Sequence, residues 1–141
     1  MNTKPLNREQ LQEMLLRSSF IASLGLEVMT ADPEKQEVVM KLKMRPEFER
    51  GQRGSGQWHG GPIAAAIDTV GDFALVMLLG SPVPTINLRV DYLRPAVNTG
   101  LTMVAQIRRT GKSVGLVDVE VRNDAGVVVA VGRANYSVVT S

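Results

Sequence analysis

The stretch Trp58-His59-Gly60-Gly61-Pro62-Ile63-Ala64-Ala65-Ala66-Ile67-Asp68-Thr69-Val70-Gly71-Asp72-Phe73-Ala74-Leu75-Val76-Met77-Leu78-Leu79 decides the fold. Proline is tolerated in the first turn of a helix, where its missing N–H has no intrahelical acceptor. A helix over Ile63 to Leu79 is apolar nearly all round, which predicts burial on most of its sides. Gly80-Ser81-Pro82 stops it. The run Pro62 to Leu79 has the length of a membrane span, but Asp68 and Asp72 interrupt it, each costing roughly 2.5–3.5 kcal/mol at a bilayer centre. A buried helix carrying functional acids is the better reading, with no membrane as partner.

Upstream, Asn7 and Gln10 form a capping-box pattern, and Leu11, Met14, Leu15 and Ile21 repeat at helical spacing until Gly25. Leu26 to Thr30 and Glu37 to Arg45 read as strands around the Asp32-Pro33 breaker, and Pro46 to Gly61 as a polar, glycine-rich loop. Downstream, Ile86, Leu88, Val90 and Tyr92 alternate with polar residues. Leu101 to Arg109 follows, then the alternating Val117, Val119 and Val121, an Asn123-Asp124-Ala125-Gly126 hairpin turn and a last strand over Val127 to Val139. Consecutive, closely linked strands around one apolar helix predict an α+β class, an antiparallel β-sheet wrapped around a long central helix. The 141 residues suit a single domain over 1–141, with 1–23 as an N-terminal helical segment.

Composition narrows the chemistry. Sixteen basic and fourteen acidic residues give a net charge of +2, and no Lys/Arg run exceeds Arg108-Arg109, so nucleic acid is a poor candidate partner. The absence of cysteine excludes disulfides and thiolate catalysis, and a single histidine excludes a multi-histidine zinc site. The polar N-terminus lacks the apolar stretch of a signal peptide, so a cytoplasmic location is expected. Gly111-Lys112-Ser113 fails as a phosphate-binding loop, because Gln106 occupies the position of its first glycine.

What remains is the Gly60-to-Asp68 segment. Two glycines at a helix start let a ligand approach outward-pointing N–H groups at the positive end of the dipole, which suits an oxyanion or a polarised carbonyl. Asp68 is an acid on an apolar helix, where burial without a role costs several kcal/mol or forces a pKa shift. Asp72 lies one turn on, where capping or a wet interface is its simplest role. Gly60 and Asp68 are separated by about 12 Å at 1.5 Å per helical residue, so one chain cannot bring both to one carbonyl. Joint action requires two antiparallel helices, hence an obligate homodimer with composite sites.

At these residues the chain resembles the PaaI-type acyl-CoA thioesterases of the hotdog fold. The resemblance rests on His59-Gly60-Gly61 with Asp68 nine positions after the histidine, and on Thr85-Ile86-Asn87-Leu88-Arg89-Val90-Asp91-Tyr92-Leu93-Arg94-Pro95-Ala96. It covers about Gly25 to Val139. It implies Asp68 as the catalytic carboxylate, acting as general base or nucleophile, and the Gly60 N–H as donor to the thioester oxygen. It further implies an orienting His59, and Thr85 as a hydroxyl that holds the attacking water. Trp58 and Gly61 would line the substrate site, and Lys112 with Arg108 or Arg109 would meet the CoA phosphates. Where many members carry asparagine six residues before the histidine, this chain has Arg53, with Gln52 and Gln57 as possible substitutes. Expected, then, are acyl-CoA hydrolysis without metal or cofactor and assembly as a dimer or a dimer of dimers. A non-catalytic acyl-CoA binding module and a hotdog hydroxyacyl-thioester dehydratase are the alternatives.

Overall fold

The computed structural model describes residues 4–139. Two short helices, α1 (Arg8–Leu15) and α2 (Ser19–Leu24), precede β1 (Glu27–Asp32) and β2 (Glu37–Leu42). After a one-turn 3-10 helix at Pro46–Phe48 comes α3 (Gly60–Leu79), then β3 (Thr85–Tyr92), β4 (Leu101–Thr110), β5 (Val114–Asn123) and β6 (Val128–Ser137). All pairings in the six-stranded sheet are antiparallel, in the order β1-β2-β4-β5-β6-β3.

The sheet curls around α3. Ile67, Val70, Ala74, Leu75 and Met77 of the helix are fully buried, together with Val38, Met40, Met103 and Val121 from the strands. Phe73 and Met77 are core as well. The helix has the length and hydropathy of a membrane span, yet 61% of that window is buried inside the protein. His59 caps its start and Gly80, at φ 83°, its end. This is the hotdog architecture.

Two expectations need correction. The N-terminal helical segment is not one helix. Asn7 and Gln10 do form the capping box, but the helix ends at Leu15, and a six-residue second helix runs from Ser19 to Leu24. Leu16 sits at the break, two-thirds exposed, while Leu11 and Leu15 before it and Leu24 after it are buried in one core, with Met14 and Ile21 packed against that core.

The second correction concerns β3. Cross-strand partners share a face of a sheet, and Leu88 and Val90 stand opposite Ala134 and Gly132, both buried. Strict alternation would put Ile86 on that face as well. Instead the register slips between Thr85 and Asn87, so Thr85 stands opposite the buried Tyr136 and Ile86 is 53% exposed. One extra residue therefore exchanges an isoleucine for a hydroxyl on the helix-facing side.

Candidate active site

The bulge makes the site. Thr85 Oγ1 donates a 2.7 Å hydrogen bond to Asp68 Oδ1. Asp68 Oδ2 has no hydrogen-bond donor among the described residues, so one carboxylate oxygen is held and the other is open. The hydroxyl, having given its proton to the carboxylate, keeps lone pairs that can accept from a water. Behind this pair, Tyr136 on β6 donates its hydroxyl to the Asp68 carbonyl at 2.7 Å, pinning α3 to the sheet at the acid. Burial first, then the nearby carboxylates, holds that phenol well above its ordinary range, so it stays a donor.

At the start of α3, His59 Nδ1 accepts the Gly61 N–H at 3.0 Å. That bond uses the Gly61 donor and places the proton of a neutral His59 ring on Nε2. No acceptor among the described residues meets the Gly60 N–H, which sits at the positive end of a 20-residue helix. Tyr92, the last residue of β3, donates to the Gly60 carbonyl at 2.6 Å. Sequence reasoning missed it, because nothing local distinguishes a strand-end tyrosine that reaches a loop 32 positions away.

A cavity of about 440 Å³ opens beside Gly60, lined among others by Arg50, Gln57, Trp58, Ile63, Tyr92 and Arg94. Trp58 is otherwise buried, its indole N–H donating to the Thr99 carbonyl at 2.8 Å and its ring stacked on Phe48. Neither Arg50 nor Arg94 pairs with a carboxylate among the described residues: Arg50 donates to the Gln57 amide oxygen and Arg94 to the Val128 carbonyl. Asp68 does not line this cavity. Gly60 and Asp68 belong to one unbroken α3, which keeps them about 12 Å apart along the axis.

Other sequence candidates lie elsewhere. Arg53 lines a separate hollow with Glu49, Gly54 and Asn98. The Glu49 carboxyl there is drawn below its ordinary range by the Gly56 and Gly54 N–H groups and by Arg53. Gln57, not Arg53, lines the cavity beside Gly60. Arg109 ends β4 and Lys112 occupies the β4–β5 turn, beyond Gly115, which packs on Leu75 in the second half of α3. Within one chain they are far from Gly60. Arg108 is engaged by Asp118 at 2.9 Å.

Residues 55–130, more than half of the chain, match the thioesterase superfamily. The chain belongs to that superfamily. It is 30% identical to the medium/long-chain acyl-CoA thioesterase YigI of Escherichia coli, over 84% of each chain. A solved protein of the thioesterase superfamily superposes with a TM-score of 0.85 at 32% identity, covering 94% of this chain and 98% of the other. The Escherichia coli PaaI protein shares the fold, with a TM-score of 0.80 at 22% identity over 95% and 96% of the two chains. Thioester hydrolysis is the chemistry of this superfamily member.

Proposed function

We propose that the chain hydrolyses an acyl-CoA thioester to free acid and CoA at a site shared between two copies. The observation that carries it is the Thr85–Asp68 hydrogen bond, which leaves one carboxylate oxygen and the hydroxyl lone pairs free to hold a water. Asp68 takes a proton as that water adds to the thioester carbonyl. The partner copy's Gly60 N–H holds the oxygen that becomes negative. The tetrahedral intermediate then collapses with cleavage of the C–S bond, and CoA leaves as a thiolate that takes up a proton. In the nucleophilic variant, the Asp68 carboxylate attacks the carbonyl and expels CoA as a thiolate, and water then cleaves the resulting mixed anhydride to free acid and the Asp68 carboxylate.

Two copies are required because the single-chain cavity holds Gly60 and not Asp68. The edge strand β3 supports assembly: Ile86, Tyr92 and Leu93 are each about half exposed, and one side of its ladder is unpaired. Arg50 and Arg94, free of carboxylates, are placed to meet the CoA phosphates, and Gln57 to bond near the carbonyl. Roles for Arg109 and Lys112 in phosphate binding would require them to come from a partner copy.

The test is thiol release from aryl-, short-, medium- and long-chain acyl-CoAs, with the chain lengths that name the Escherichia coli relative taken first. Turnover on at least one class, falling by about 10²-fold or more in Asp68→Asn, is expected. Binding without turnover on any thioester would mean a non-catalytic acyl-CoA module.

A further inference from the structure

Asp72 lies one helical turn after Asp68, on the same side of α3, and the mechanism above does not use it. Its Oδ1 accepts the Val83 N–H at 3.3 Å, which ties the segment leading into β3 to the helix. Two residues later, Thr85 meets Asp68. Two acids four positions apart on α3 therefore hold two residues that bracket Pro84, whose fixed φ leaves the link little freedom. From the other side, the Ser137 N–H of β6 donates to the Pro84 carbonyl at 2.8 Å.

We propose that Asp72 is a positioning residue for hydrolysis: it anchors the approach to β3 so that the Thr85 hydroxyl stays on Asp68. The proposal rests on the assignment of Asp68 as the catalytic carboxylate. The titratable groups that bear on Asp72 are Asp68 on its own helix and Tyr136 on β6. Residues 80–84 contribute none, and no Lys or Arg among the described residues pairs with it. Burial, with the Asp68 carboxylate adding to it, pushes the Asp72 carboxyl up to about 7. Protonated, Asp72 adds no charge to the helix face where the thioester oxygen becomes negative. Ionised, it sets a second negative charge about 6 Å from the Asp68 carboxylate and so alters how readily Asp68 takes up the proton of the attacking water.

The experiment is the pH dependence of kcat and kcat/KM for thiol release, in wild type, Asp72→Asn, Asp72→Ala and Asp68→Asn. The wild-type rate should change as pH passes through about 7. Asp72→Asn keeps an oxygen acceptor for Val83 and cannot ionise, so it should hold the lower-pH rate and show no such change. Asp72→Ala loses the acceptor, and its kcat should drop about tenfold at every pH with KM nearly unchanged, as for a misplaced water. A wild-type change near pH 7 that persists in Asp72→Asn, or equal activity of the Ala and Asn variants, overturns the proposal even when Asp68→Asn is inactive. Full activity in Asp68→Asn instead overturns the catalytic assignment, and the role of Asp72 falls with it.

Discussion

Gly71 sits against the hydroxyl that pins the Asp68 segment of α3 to β6. A methyl group there would press on Tyr136 Oη, well inside contact distance, and lie 3.3 Å from Tyr136 Cζ. Glycine-to-alanine in a helix interior ordinarily gains about 1 kcal/mol. Here the methyl must overpack a closed core, costing about 1–3 kcal/mol. It also drives the phenol off the Asp68 carbonyl, and an unmatched buried hydroxyl costs about 1–3 kcal/mol more. Gly71→Ala is therefore expected to lose a net of about 1–5 kcal/mol. Tyr136→Phe alone should lose about 1 kcal/mol, the net worth of a hydrogen bond. In the double variant the clashing oxygen is gone and the helix gain returns, so it should be no less stable than Tyr136→Phe. Urea unfolding at one fixed protomer concentration measures the cycle, since linked assembly makes midpoints concentration-dependent. Additive losses, or a Gly71→Ala protein as stable as wild type, would refute the packing described here.

Three further outcomes follow from the site. An acid near 3.8 in the unfolded chain and about 7 when folded takes up a proton on folding between those values, so stability contributed by Asp72 falls as pH rises through that window. Asp72→Asn should gain on wild type in urea midpoint from pH 4.5 to pH 8, by at most about 4 kcal/mol. Thr85→Val keeps strand propensity and removes the hydroxyl; kcat for thiol release should fall by about 10- to 100-fold with little change in unfolding midpoint. Arg50→Ala combined with Arg94→Ala should raise KM for CoA thioesters about tenfold, with kcat nearly constant, and leave thioesters of a short, phosphate-free thiol unaffected.

The parts of this site that come from one local segment were legible in the sequence. The two glycines and the apolar α3 lie within 22 consecutive residues, and their spacing already separates Gly60 from Asp68, although the helix starts at Gly60 with His59 as its cap and not at Ile63. The strands β4, β5 and β6 follow from alternation because each has one face against the helix. Alternation misled at β3, where a bulge breaks the period and no residue type marks it. The same locality explains the break between α1 and α2, since helical spacing persists across Leu16 and apolar residues on both sides of it reach one core. Contacts between distant segments were out of reach: Tyr92 on Gly60, Tyr136 on Asp68 and Val83 on Asp72 depend on how the sheet closes over α3. Thr85 was a candidate only through the family resemblance, and the structure supplies its partner. Arg50 and Arg94 carried no signal beyond charge.

The central claim is that Gly60 of one copy and Asp68 of another act on one carbonyl. Gly60→Pro removes the N–H at a position where proline suits the first helical turn, and Asp68→Asn removes the carboxylate. Each variant alone should be nearly inactive in thiol release. Refolded together in equal amounts, half of the dimers would pair the two variants and regain one intact site, restoring about a quarter of wild-type activity. No recovery from a mixture shown to form mixed dimers would contradict the shared site and place both groups' action within a single chain.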